Sequence, residues 1–345
     1  MNRVNIKPLL SAQRKAIAAD SELLVSKKHM FNDKHIPLLL TPTVDGVDII
    51  EWCEINRKLT ADLLLDSRAI LFRGFGIDNA AKLARFSNVT SMGSRVEYKD
   101  RSAPRYAVGD NVYVSTIYPA EQSIQLHNEG TYWKKWPRKI FFCCERAADT
   151  GGETPIADVR KVYARIDARV REEFERRNVL YIRNFNDGFG LSWQEVYQTR
   201  EKSDVENYCR LNDIEVEWKR GDKLRTRQVR PAVRVHPETG EKLWFNHGAV
   251  FNVNAHDAEY RKVLCETFAE AELPFHTKFG DGTSIPAEWI AEIQSAYAAE
   301  KVMFSWMKGD VLMLDNMTIA HAREPYTGER STLVAMTEPY RDDGV

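Results

Sequence analysis

The sequence predicts an α+β chain with a mainly β core, an antiparallel barrel or jelly roll with flanking helices and a helical insertion. Three observations carry this expectation: short β-rich runs at the front and back of the chain, helical periods between them, and no strand–helix alternation of the kind that builds a parallel sheet. The 345 residues contain no internal repeat, low-complexity tract or Gly/Ser linker, so they read as one domain with insertions rather than two.

Residues 1–35 are polar and basic and are expected to form an N-terminal arm, helical or only partly ordered, with residues 36–345 as the single domain. Residues 47–66 place Ile50, Cys53, Ile55, Leu59 and Leu63 at helical spacing. Residues 69–76 are a short β-rich run ended by glycine, and 79–92 turn helical again. Strands are expected over 138–144 and 228–235, with helices over 161–177 and 202–211 between them. Two more helices follow over 257–272 and 286–300, and the chain ends in strands over 302–307, 310–315 and 332–338. A bare jelly roll needs far fewer residues, so the excess is assigned to an insertion over about 161–300, expected to close over the site and select the substrate.

Composition narrows the partners. Forty-nine basic against fifty acidic residues leave a net charge of −1, which argues against nucleic acid or an anionic membrane as the main partner. The apolar runs fall well short of the ~18 residues of a membrane span, and the N-terminus lacks a secretory signal pattern. Five cysteines, odd in number and without a CxxC pair, read as thiols of a reducing compartment, so a cytoplasmic location is expected. A homo-oligomer is compatible with all of this.

The common phosphate-loop, dinucleotide, nucleophile-elbow and zincin motifs are absent, which leaves metal ligation by histidine as the main chemistry to weigh. Two of the eight histidines begin a His-x-carboxylate pair, His127-Asn128-Glu129 and His236-Pro237-Glu238. On a strand such spacing puts both side chains on one face, but at this acidic content chance also supplies a pair. His236 sits in turn chemistry between two strand-like runs and is expected on an exposed hairpin. His127 follows a β-rich run (111–118) and precedes a polar-aromatic loop; His321, just past a strand, offers a third ligand. Two histidines and one carboxylate make the facial triad of non-haem Fe(II) oxygenases. On the residues alone, buried structural histidines remain the alternative.

The set His127-x-Glu129, Gly151-Gly-Glu-Thr-Pro155, Trp306-x3-Asp310, Asp315-Asn316, His321 and Gly328-x-Arg330 resembles the TauD/TfdA-like family of Fe(II)/2-oxoglutarate oxygenases over about residues 69–339. Leu126-His-Asn-Glu129, Gly190-Leu-Ser-Trp-Gln194 and Arg225-Thr-Arg-Gln-Val-Arg-Pro231 look closest to its SyrP-like branch of amino-acid hydroxylases. The resemblance implies a distorted double-stranded β-helix, iron held by His127, Glu129 and His321, and 2-oxoglutarate held by Thr154 and Arg330. The planar guanidinium of Arg330 suits a distal carboxylate; related chains often carry a second arginine where this one has Ser331. Halogenase relatives have a small residue at the position of Glu129, so this chain is expected to hydroxylate or desaturate. The implied reaction consumes O2 and releases succinate and CO2.

The substrate is expected to be a small amino-acid-like molecule, free or tethered to a carrier protein. Candidate contacts are Gln125, on the strand face of His127, and Arg227 with Arg225 and Arg230, which read equally as a solvated basic edge. Asn246, in Trp244-Phe-Asn-His247, lines the pocket or simply belongs to an apolar strand. Residues 189–193 are a mobile lid or a plain turn. A desaturase or cyclase of the same family, a non-catalytic jelly-roll binding protein and a zinc hydrolase using the same ligands are the other readings; the last leaves Thr154 and Arg330 without a purpose.

Overall fold

The computed structural model describes residues 22–94, 96, 100, 105–109, 112–115, 118–185 and 190–341. Most of the expected arm, and parts of the β-rich run over 111–118, lie outside the described residues. The chain opens with β1 (Val25–His29), β2 (Leu38–Pro42), α1 (Ile49–Ile55), α2 (Arg57–Ser67), β3 (Ala69–Phe72) and α3 (Ala80–Val89). Residues 25–29 are thus a strand where an arm is expected, and they pair with β2 at the sheet edge. The helix expected over 47–66 breaks at Asn56, which closes α1 and opens α2. Asp48 caps α1 by accepting from the Ile50 and Glu51 amides, and Asn79 caps α3 by accepting from the Lys82 amide. Next come β4 (Ala107–Gly109), β5 (Val112–Val114), β6 (Ile124–His127), β7 (Trp136–Arg146), β8 (Thr150–Gly151) and β9 (Ile156–Asp158).

The stretch expected as a helical insertion is not purely helical. It runs α4 (Val159–Arg165), α5 (Ala168–Arg177), β10 (Val179–Phe185), α6 (Trp193–Tyr197), α7 (Lys202–Leu211), β11 (Glu215–Lys219), β12 (Lys223–Arg230), β13 (Val233–Val235), β14 (Lys242–Trp244), α8 (Ala258–Thr267), β15 (Phe275–Phe279) and α9 (Ala287–Glu300). Four of these strands form an antiparallel sheet of order β11-β12-β10-β15. The strand expected over 228–235 splits into β12 and β13 at Pro231, which has no amide hydrogen for a ladder.

Last come β16 (Val311–Asp315), β17 (Ile319–Arg323), β18 (Tyr326–Thr327) and β19 (Ser331–Tyr340). Residues 302–307 are not a strand. Val302, Phe304 and Trp306 are buried and Met303 and Met307 exposed, so the alternation is right. The segment pairs only through the Val302–Ile156 bridge, however.

The core is two sheets rather than a closed barrel. The large one has order β1-β2-β3-β16-β7-β19-β5-β4 and the small one β6-β17-β9. The large sheet is mixed, because β2 runs parallel to β3. Both faces are buried at its centre, over β3, β16, β7 and β19, which is why these strands read as continuous apolar runs, whereas the edge strands β1 and β4 are largely exposed. Ile140, Phe142 and Cys144 of β7 face the small sheet, in one core with Leu312, Leu314, Val334 and Ile319. Phe141 and Cys143 face the other way, packing with Trp52 of α1, Leu64 of α2 and Phe86 of α3. Clamped on both sides, the large sheet is a rigid floor for the small one.

Candidate metal centre

The small sheet brings distant residues together. His127 ends β6 and His321 lies on β17, and the antiparallel register sets them directly opposite, with ring centroids 4.5 Å apart. Glu129 follows two residues on, and each of the three side chains offers a ligand atom within 4.8 Å of the others. The backbone of Glu129 is clamped by one side chain: its amide donates to Asn316 Oδ1 at 2.8 Å, and its carbonyl accepts from Asn316 Nδ2 at 2.9 Å. This is what the Asp315-Asn316 pair does. Asp315 accepts from His236 Nε2 at 2.9 Å and from the Met317 amide, holding the β16–β17 turn.

The electrostatics suit a divalent cation. His127 Nδ1 donates to the Gln125 carbonyl at 2.8 Å, which fixes the ring and leaves Nε2 with its lone pair. The Nδ1 of His321 is buried with no hydrogen-bond partner. Burial pushes the His127 imidazole below its ordinary pKa against the opposing pull of the Glu129 charge. Burial lowers His321 further, with His127 and Arg105 adding to the effect. Both rings are therefore neutral, the form that ligates metal. Arg105 Nη2 donates to Glu129 Oε2 at 2.6 Å, in a pair with side chains only 4% and 6% exposed.

Thr154 and Arg330 meet through the Gly-Gly-Glu-Thr-Pro segment. Arg330 Nε donates to the Gly152 carbonyl at 2.9 Å, and Thr154 Oγ1 accepts from Trp306 Nε1 at 3.1 Å. Both glycines are required here. Each has positive φ, +68° and +71°; a Cβ on Gly151 would lie 2.1 Å from the Pro325 carbonyl, and one on Gly152 would lie 2.9 Å from Arg330 Cδ. Burial, then the nearby Arg323, lowers the Arg330 pKa to about 10, so it stays charged at neutral pH. It opens onto a cavity of about 600 Å³ that Glu145, Lys308 and Tyr326 also line. Alternate residues of β7 link this end to the histidines: the Phe142 ring is 4.8 Å from His321, and Cys144 is close enough to Arg330 to feel its charge.

The remaining candidates divide. Gln125 is half-buried on β6, anchored by Nε2 donating to the Ala255 carbonyl at 3.2 Å. Arg227 does not reach the triad: register pairs it with Ile182, on the face of β10 opposite Tyr181, and it lies beside Glu217, 40% exposed. Arg225 bonds Asn184 and the Ala271 carbonyl, and Arg230 bonds the carbonyls of Tyr132 and Asn212. Asn246 is consumed by its own backbone surroundings, donating to the Ala232 carbonyl and accepting from the Gly248 amide, both at 2.8 Å. Its neighbour His247 is the residue at the site, 5.6 Å from the His127 ring. Phe189 lies outside the described residues, and Trp193 is core, packed with Phe185 and Val196. His236 is on the expected hairpin but is fully buried, because Asp315 receives it.

Sequence reasoning passed over Arg105 and Arg323, and read His247 only as part of a run that lines the pocket or belongs to an apolar strand. His247 stands in an aromatic wall with Phe251 at 4.8 Å and Tyr132 at 5.4 Å, and its Nδ1 meets Thr131 Oγ1. Arg323 binds the carbonyls of Tyr118, Pro119 and Gln122, holding the approach to β6. The signal for Arg323 was its position two after His321 on a strand; Arg105 carried none.

Known proteins share this arrangement of chain. The dapdiamide synthesis protein DdaC of Enterobacter agglomerans is 39% identical over 307 residues, spanning 88% of this chain and 92% of that one. Among solved structures, PvcB of Pseudomonas aeruginosa superposes with a TM-score of 0.57 at 15% identity, over 94% of this chain and 96% of that one. A second PvcB structure, described as an Fe, alpha-ketoglutarate dependent oxygenase from an isonitrile synthetic pathway, gives 0.54 at 16% identity over 99% and 98%. A taurine dioxygenase of Burkholderia xenovorans gives 0.52 at 16% identity over 93% of each chain. These likenesses establish the two-sheet fold as that of the oxygenases. With residues 34–337 matched by the family description as well, the chain belongs to the taurine catabolism dioxygenase TauD, TfdA family.

Proposed function

We propose that this dioxygenase uses Fe(II), 2-oxoglutarate and O2 to hydroxylate an aliphatic C–H bond of an amino-acid-like substrate in secondary metabolism. The observation that carries the reading is the cluster of half-buried His127 with buried Glu129 and His321, a donor set that suits iron and would leave three positions open. Thr154 and Arg330 hold the 2-oxoglutarate, and Gln125 with the His247–Phe251–Tyr132 wall faces the substrate. The bound metal and co-substrate supply the oxidation, and the co-substrate leaves as succinate and CO2. The protein's own part is to aim one C–H bond and to keep water out, for which a buried aromatic wall is suited. A role in biosynthesis is supported by the names of relatives in dapdiamide synthesis and in an isonitrile pathway. We read residues 36–345 as one domain with its insertion over about 161–300. No described helix is long and apolar enough to cross a membrane, and the five free cysteines agree with a reducing, cytoplasmic setting.

The test is turnover of iron-loaded protein with a panel of free and carrier-bound amino acids, read by mass spectrometry alongside succinate. One added oxygen supports hydroxylation; loss of two hydrogens assigns desaturation or cyclisation instead. Bound iron with no succinate above background for any substrate would leave a binding protein and end the enzymatic reading.

A further inference from the structure

Glu129 has two carboxylate oxygens, and Oε2 is taken by Arg105 Nη2 at 2.6 Å in a buried pair. A charge-assisted bond of that length is strong and directional. A guanidinium this close to a dication repels it, so Arg105 is not placed to tighten metal binding. What it bears on directly is the Glu129 carboxylate. An unrestrained carboxylate can ligate with one oxygen or with both; with Oε2 already accepting from a guanidinium, Oε1 is the better donor of the two.

Arg105 is itself well anchored. Asp100, five residues earlier, accepts at its carbonyl from Tyr132 Oη and Trp133 Nε1, both at 3.0 Å, and at its carboxylate from Arg183 Nη1 at 2.6 Å. Tyr132 and Trp133 belong to the loop that begins with Glu129, so Asp100 and Arg105 dock on the two ends of that loop. The Tyr106 carbonyl accepts from the Val114 amide at 2.9 Å, and Arg105 Nη1 donates to Met336 Sδ at 3.9 Å, tying Arg105 and Tyr106 to β5 and β19.

We propose that Arg105 is a positioning residue that keeps Glu129 a one-oxygen ligand, so that the metal retains three open positions. A facial triad leaves three places, two for a chelating 2-oxo acid and one for O2. A second oxygen from Glu129 would fill one of them. This rests on the metal reading given above.

The experiment compares wild type, Arg105→Met and Arg105→Lys, each checked for folding by circular dichroism. Fe(II) affinity is titrated first; 2-oxoglutarate affinity is then titrated anaerobically through the visible charge-transfer band. In R105M, metal affinity should hold or rise while 2-oxoglutarate affinity falls about tenfold or more, within the range of outer-shell effects. R105K, which keeps the charge and loses the planar fork, should fall between. Wild-type 2-oxoglutarate affinity in either folded variant overturns the proposal, as does parallel loss of metal and 2-oxoglutarate, the mark of a merely structural role. If R105M does not fold, R105K alone decides by the same two criteria. A wild-type protein that binds no Fe(II) sinks the proposed function itself, and this inference with it.

Discussion

His127 and His321 are directly opposed partners in the β6–β17 ladder, 194 residues apart in the chain. Opposed residues on one face of an antiparallel pair have Cβ atoms roughly 4.5–5.5 Å apart, so the ladder itself sets the bite of the two imidazoles. A slip of one residue would turn one histidine to the other face. Removing either ring should therefore empty the site without dissolving the sheet. His127→Ala should abolish the visible band formed anaerobically with Fe(II) and 2-oxoglutarate, and cost more metal affinity than the roughly 10–100-fold of outer-shell changes. An unchanged spectrum in that variant would remove His127 from the ligand set.

Arg330→Ala should act on the co-substrate alone. Hydrogen bonds to charged groups contribute about 1.5–3 kcal/mol, so the KM for 2-oxoglutarate should rise roughly ten- to hundredfold with Fe(II) affinity intact. Steady-state kinetics at saturating substrate measure this. An unaltered KM would transfer the carboxylate to another cation.

Thr154→Val probes stability as well as binding. The Trp306 indole N–H donates to Thr154 Oγ1 in a buried setting, and Val would leave that donor unpaired. The expected loss is about 1–3 kcal/mol of unfolding free energy, with Thr154→Ser close to wild type. Urea titration of the three proteins checks it, and equal stability of Val and Ser variants would contradict it.

His236→Ala should be among the more damaging changes away from the centre. It leaves the Asp315 carboxylate buried without its partner, for a cost of about 3 kcal/mol. The pair also predicts an acid limb. Burial alone would raise the Asp315 pKa, but the hydrogen bond from His236, with the nearby Arg138 and the Met317 amide, more than offsets it, and the folded value lies below the ordinary one. The stabilisation is thus complete above the unfolded value of about 3.9 and is lost as pH falls through the lower folded value. Urea midpoints measured from neutral to acid pH should fall less steeply for Asp315→Asn than for wild type. Parallel slopes would exclude this carboxylate as the source.

The readable parts of the fold are those where burial acts on every residue of a run. β3, β7, β16 and β19 lie in a sheet packed on both faces, so each appears as an apolar stretch and falls where it is expected. β6 is different: its four half-buried residues, Ile-Gln-Leu-His, alternate over too short a run to stand out. Residues 302–307 show the reverse, a strand's alternation with a single bridge, at Val302, in place of a ladder. Pattern reports burial, whereas a ladder needs a second backbone.

By itself the sequence determined which side chains are available for chemistry, and their order along the chain. His127-x-Glu129, His321, Thr154 and Arg330 were legible as a set only through resemblance, since chance also supplies His-x-carboxylate pairs. Tertiary structure decided which pair meets a third ligand. It set His127 opposite His321 and buried His236 against Asp315; it turned Arg227 outward, satisfied Asn246 locally, and brought Arg105 and His247 to the centre. The physical reason is that spacing along a strand specifies only a face. What that face meets depends on register and on tertiary contacts that the spacing does not encode.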